Sequence, residues 1–334
     1  MSRPPRQPRP ALPRAFTLLE MLVGMAILTV ILLVLLAIIN TTGRAWTSAV
    51  ARSESFQNAR AIFEVLTRRL GAATLNTYYQ VNYEGGQPTS YQRASDLRFI
   101  SGTASVTGLP SQVGHAVFFQ APLGYTTNTA YAPLDSLLNV CGFYVDYSRS
   151  TLRPAFLDML LGANSNPYRF RLHQVLQPTD AMMVYKNGAS STSWINDAVS
   201  NSARDFAVNI VTLVLVPENP SLTNPLPSGY DYDSHDAANP SYYNQLPPVL
   251  EVFMAAIDEV SARKVCATSA APHLGQDTLF KDPGQLEADI ASLDSILSAA
   301  PGNAAGNRVP LTHRFFRAKI IIQGAPWSSS NGSS

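Results

Sequence analysis

From Phe16 to Ile39 the sequence reads FTLLEMLVGMAILTVILLVLLAII, 24 residues with a single charge, Glu20. At ~1.5 Å rise per residue this run forms a helix ~36 Å long, enough to cross a hydrocarbon core of about 30 Å. It exceeds the ~7–15 apolar residues of a secretory signal. No other window matches its length and purity, so the chain crosses a membrane once at most. Arg3, Arg6, Arg9 and Arg14 precede the run without an acid, and only Arg44 and Arg52 follow soon after. That asymmetry leaves the N-terminus in the cytoplasm and the bulk of the chain outside it. A carboxylate in such a helix costs up to ~2.5–3.5 kcal/mol at the bilayer centre and less near an edge. Glu20 is therefore either a functional acid or one that snorkels to the interface.

The residues around it, Arg14-Ala15-Phe16-Thr17-Leu18-Leu19-Glu20-Met21-Leu22-Val23, resemble the N-terminal signature of type IV prepilins and type II secretion pseudopilins. The resemblance implies that a prepilin peptidase removes a basic leader, residues 1–15, by cutting between Ala15 and Phe16. The new Phe16 amine is then N-methylated. Ala15 stands where the family pattern carries Gly. The resemblance also implies that Thr17, Leu18, Leu19 and Glu20 serve assembly with other pseudopilins or pilins on an inner-membrane platform. Two opposite charges 4 Å apart gain ~4 kcal/mol at an effective dielectric of 20. Glu20 of one subunit can thus neutralise the Phe16 amine of its neighbour. A second cleavage signal, Ala49-Val50-Ala51, fits the small-residue rule of ordinary signal peptidase, but the apolar run before it is too long.

The helix continues past the span. No proline occurs between Phe16 and Ala72, and Phe56, Ala59, Phe63, Leu66 and Leu70 form one apolar stripe at helical spacing. Arg52, Glu54, Arg60, Glu64 and Arg68 lie opposite, and Gly71 is a stop signal. The spacing predicts a helix over 16–72, transmembrane over 16–39, whose stripe packs on a sheet. Strand-like runs follow at 97–101, 116–120, 139–147, 168–175, 181–185, 206–216, 249–257 and 317–323. They have no βαβ rhythm, so an antiparallel sheet is expected. The fold class is α+β with a pilin-like layout: a long N-terminal helix on an antiparallel β head over 73–327, then a tail at 328–334. Residues 217–248 hold seven prolines and read as a surface excursion, while 283–300 read as a helix capped by Asp282. The segments 246–264 and 313–323 resemble the late strands of larger minor pseudopilins of the J type, and the layout resembles protein C of the Verru_Chthon cassette.

A formal net charge of +1 excludes a strongly basic nucleic-acid binder. No G-x-S-x-G, G-x-x-x-x-G-K-[ST], H-E-x-x-H or G-x-G-x-x-G occurs, and the five histidines are scattered, so no spacing nominates an active site. The expectation is a structural protein without catalysis or cofactor. Asp231, Asp233 and Asp236 form the strongest metal candidate, alternating carboxylates able to offer oxygen to Ca²⁺, or else a solvated acidic loop. Cys141 and Cys266 are either a disulfide in an oxidising exterior or two buried thiols. An anchored extracytoplasmic adhesin or binding module, and then an anchored enzyme, are the competing functions.

Overall fold

The computed structural model of the protein describes residues 18–150, 153–162, 165–187, 191–219, 226, 229–266, 268–276, 278–299, 310–325 and 327. The chain divides into two compact units, Met1–Ala51 and Arg52–Ser334. Helix α1 (Leu18–Gly71) runs through that division for 54 residues and ends at the glycine the sequence marks as its stop. The expected first residues, Phe16 and Thr17, lie outside the described residues, as does the 328–334 tail.

In the second unit α1 buries Ala59, Phe63, Leu66 and Leu70, a stripe at steps of four, three and four. Phe56 stays half-buried, with the Arg314 guanidinium 5.4 Å over its ring. Outward, Arg60 pairs with Glu64 at 3.0 Å, the expected (i, i+4) contact.

The strands are β1 (Tyr78–Glu84), β2 (Gln87–Ala94), β3 (Ile100–Gly102), β4 (Ala116–Pro122), β5 (Leu138–Ser148) and β6 (Arg169–Gln177). They continue with β7 (Ala203–Val208), β8 (Ile210–Glu218), β9 (Tyr232–Asp233), β10 (Val249–Ile257) and β11 (His313–Ile321). Between them lie α2 (Ala104–Thr107), α3 (Ala155–Leu161), α4 (Val184–Asn187), α5 (Ser193–Ser202), α6 (Glu259–Val265) and α7 (Leu286–Ala299). Three sheets result: β1-β2, β11-β10-β8, and the six-stranded β7-β6-β5-β4-β3-β9. Every pairing between these strands is antiparallel. The α+β class read from the sequence is what the chain adopts.

The six-stranded sheet is covered on both faces. Val117, Phe119, Cys141, Phe143, Val145, Phe170 and Leu172 turn toward the α1 stripe and the three-stranded sheet. Their alternating neighbours Ala116, Phe118, Val140, Tyr144 and Val175 turn toward Trp194, Ile195 and Ala198 of α5. Period-2 alternation thus carries apolar residues on both sides, so these strands read as nearly unbroken apolar runs. Gly142 is required by a close approach: a Cβ there would lie 2.3 Å from the Phe118 ring, its cross-strand partner.

Three expectations need correction. The run at 206–216 is two strands, broken at Asn209, whose φ of 66° places it in the left-handed region that Asn tolerates. The chain there leaves the six-stranded sheet and enters the three-stranded one. The stretch 181–185 is no strand; a 3-10 turn (Thr179–Ala181) leads into α4, because a short apolar run serves a buried helical turn equally well. The excursion at 217–248 is in its described part no surface loop. Tyr230, Tyr232, Tyr242 and Leu246 are buried, and β9 joins the sheet beside β3. The helix forecast over 283–300 forms as a 3-10 turn (Pro283–Gln285), capped by Asp282 accepting from the Gly284 N–H at 2.9 Å, that leads into α7, where Leu286, Leu293 and Leu297 are buried.

Leu66 has no accessible surface. Leu66→Ala is expected to cost about 2–5 kcal/mol, while Leu134→Ala at a half-exposed position stays within about 0.5 kcal/mol. Denaturant unfolding of the full chain in micelles, followed by tyrosine and tryptophan fluorescence, measures both.

Candidate assembly segment and the polar clusters of the head

Within the first unit, seventeen large apolar side chains between Leu18 and Ile39 are at least half exposed. The mean hydropathy of the most apolar 18-residue window is 3.2, and none of that window is buried. Full burial of one such side chain is worth about 1.5–3 kcal/mol, so this surface demands lipid or other apolar helices around it. The hydroxyls of Thr29, within the segment, and of Thr41, just beyond it, are satisfied by the helix itself. Thr29 and Thr41 each donate to the carbonyl four residues earlier, Met25 and Ala37, at 2.8 Å. Such internal closure is what a helix in hydrocarbon requires. One N-terminal apolar helix of this kind suggests a single-pass membrane anchor.

Glu20 lies exposed on the described helix, beside Leu18 and Leu19. Ala15, Phe16 and Thr17 lie outside the described residues.

Residues 13–36 match the family model of the prokaryotic N-terminal methylation motif. The matched stretch contains the expected cut site, the residue to be methylated and Glu20. It supports the type IV prepilin and pseudopilin superfamily, and with the long helix and antiparallel sheets it supports a pilin-like subunit. No curated protein and no solved structure matches the chain.

The metal candidate does not assemble. Asp231 accepts from the Thr103 N–H at 2.6 Å and from the Ser105 hydroxyl at 3.0 Å. Asp233 holds the Arg98 guanidinium at 2.8 Å, and Asp236 takes the Ala238 N–H at 3.0 Å and the Asn239 amide. Each carboxylate is consumed by its own donors, and among the described residues no group of three or more His, Cys, Asp or Glu is placed to hold a metal ion. Cys141 and Cys266 are both buried, unbridged thiols. Burial pushes Cys141 up to about 12 and Cys266 up to about 11.

Register creates two polar clusters that no sequence spacing displayed. His173 sits opposite Asp205 on β7, and its ring nitrogens face two carboxylates, Asp146 at 2.8 Å and Asp205 at 3.4 Å. Arg171 closes the group by pairing with Asp205 at 3.1 Å. With both nitrogens facing acids, the imidazole has none left to activate a hydroxyl. In the second cluster, burial works against the Glu259 carboxylate, yet hydrogen bonds from Arg169, Asn209 and Arg263 hold it down at about 2. The pairing of β6 with β5 and β7, the turn at Asn209 and the start of α6 bring these residues together. A cleft of about 570 Å³ opens beside the first cluster, between α1 and β7.

His115 is the other buried imidazole, accepting from the Leu215 N–H at 3.2 Å with the Tyr230 ring 4.7 Å away. Burial pushes its pKa down to about 4 from an ordinary value of 6.5. The unfolded imidazole binds a proton below about pH 6.5, the buried one only below about 4, so acidification through that window favours unfolding. The contribution is fully present above about pH 6.5. Between pH 7 and 4 the loss attributable to this residue is expected at about 3 kcal/mol. Unfolding curves at a series of pH values should flatten in that window for His115→Gln.

Proposed function

We propose that the chain is a minor pseudopilin or minor pilin, a structural subunit of a type II secretion pseudopilus or type IV pilus-like filament. In this reading the prepilin peptidase cuts between Ala15 and Phe16, and the Phe16 amine is methylated. Residues 16–39 hold the subunit in the inner membrane, with its N-terminus cytoplasmic and its head periplasmic. Other pseudopilins or pilins and the inner-membrane assembly platform are its partners. Its work is packing and charge pairing, with no bond made or broken and no cofactor. The observation that carries the reading is the exposed, self-satisfied apolar helix bearing Glu20 inside the matched methylation motif. The size of the head supports a minor subunit of the J type or a protein C of the Verru_Chthon cassette over a major pilin. Glu20 sets the register by meeting the Phe16 amine of the adjacent subunit.

N-terminal sequencing with mass spectrometry of the mature chain is expected to begin at methylated Phe16; a start at Met1 or at Arg52 overturns the proposal. Glu20→Ala and Glu20→Gln are expected to reduce incorporation into the filament at least tenfold by pull-down with its other subunits. Undiminished incorporation of both removes the role given to Glu20.

A further inference from the structure

The β1-β2 ribbon is a two-stranded sheet by itself. Its turn is Gly85-Gly86, both at positive φ (59° and 84°), the two-residue hairpin geometry that glycine permits. A ribbon of only two strands is marginal in water, and this one is rooted at its open end. Arg93, only 2% exposed, donates to the carbonyls of Tyr243 and Pro240, and the Asn244 amide returns a bond to the Arg93 carbonyl. Beyond that root the ribbon presents a row of rings.

The register places Tyr79, Val81 and Tyr83 on one face together with Tyr91, which lies directly opposite Val81. The three tyrosines are 54%, 65% and 52% exposed in the order Tyr79, Tyr83, Tyr91. Four residue steps along the strand take Tyr79 to Tyr83, about 13 Å, with Tyr91 midway on the neighbouring strand. The row is longer than one ring and suits an extended ligand that offers flat apolar faces in succession. Charge narrows the choice. Across 78–94 the only ionisable acid or base besides the rooted Arg93 is Glu84 at the turn. A nucleic acid or an acidic polysaccharide would need exposed Lys or Arg to meet its anions, and the ribbon has none. The ribbon's neutral amides and hydroxyls, Gln80, Asn82, Ser90 and Gln92, pair with one another on the opposite face, so the tyrosine face offers its phenol hydroxyls as donors and acceptors. Pyranose rings have C–H faces that stack on tyrosine and hydroxyl rims that bond to phenol hydroxyls, so a neutral glycan chain is the complement of this uncharged, phenolic surface.

We infer that the tyrosine face of the β1-β2 ribbon binds a linear, uncharged polysaccharide. The inference goes beyond the role of filament subunit and does not depend on it, since an anchored module processed in any way would present the same ribbon. The test is calorimetric titration of the full chain, in a detergent without a sugar headgroup, with cellohexaose, maltohexaose and chitohexaose. Dextran sulfate and a proline-rich peptide serve as the charged and the polypeptide alternatives. Binding of at least one neutral hexasaccharide is expected, weakened about tenfold by Tyr83→Ala and by Tyr91→Ala and retained by Tyr83→Phe. Both tyrosines are more than half exposed, so the melting temperature of each variant should stay at that of the parent chain. Tyr125→Ala, an exposed tyrosine outside the ribbon, should leave the affinity unchanged. Absence of binding to all three hexasaccharides overturns the inference. So does equal binding by the alanine variants, or a preference for dextran sulfate or the peptide.

Discussion

Burial of the stripe Ala59–Phe63–Leu66–Leu70 is the contact on which the second unit is built. Before this stripe, apolar side chains surround α1; along it they keep to one side, and Arg60 and Glu64 take the other. A helix bonds its own backbone, so one continuous rod is compatible with hydrocarbon over one stretch and with a half-wetted core over the next. What changes along it is only the angular spread of apolar residues, from the whole circumference to a single face. The stripe also explains why the division between the units falls at Ala51 and Arg52 rather than at the helix end. Over its last twenty residues α1 lends one face, Ala59, Phe63, Leu66 and Leu70, to the core of the head.

Asp258 shows how tightly that core is tied. Its side chain has no accessible surface, caps α6 by accepting from the Ser261 N–H at 2.8 Å, and accepts from Arg52 at 3.0 Å. Its own N–H donates to the Thr312 carbonyl at 3.0 Å, immediately before β11. One carboxylate and its backbone therefore join the first residue of the second unit, the end of β10, the start of α6 and the entry to β11. A buried charge is tolerated only with such company, and removing one partner of a buried pair costs more than the pair contributes. Asn209 plays the complementary part in the backbone, turning the chain from one sheet into the other without a glycine.

The sequence made most of this legible where a single periodicity ran long enough. The α1 stripe and the α7 helix were readable because each carries its pattern over at least two turns, and the 249–257 strand because its nine residues, all apolar but Glu251, follow a proline pair. The methylation motif was readable because its order of residues is local. Failures came where tertiary context decides. Ala181–Tyr185 is short and apolar, and the two helical turns it became bury Met182 and Val184 as well as a strand would have. The prolines of 217–248 concealed four tyrosines, and burying Tyr232 becomes possible only because its hydroxyl finds the Gln245 carbonyl at 3.0 Å. The ribbon had an explicit signal, Gly85-Gly86 between the tyrosine-rich run 78–84 and the polar run 87–94, which lacked the aliphatic content usually sought in strands. The Asp146–His173–Asp205 group could not be foreseen, since its members come from three strands and meet only through register.

Two of the exposed apolar surfaces among the described residues differ in their chemistry. In the first unit the surface is aliphatic, with the Thr29 and Thr41 hydroxyls closed onto the helix, and its natural solvent is hydrocarbon. On the ribbon it is phenolic, each ring carrying a hydroxyl at its rim, which suits a partner that is itself part apolar and part hydrated. Charged residues make up only 14% of the sequence, and Ser, Asn, Gln and Tyr supply the outer surface in their place. A neutral surface exerts little long-range attraction, so encounter with a partner is not steered by charge and is insensitive to salt. Selectivity must then come from contact geometry alone, from how far apart the rings stand and how rigidly they are held. The hydrogen bonds of Arg93 to the Tyr243 and Pro240 carbonyls hold the open end of the ribbon, and the strand register gives its three exposed tyrosines a defined spacing.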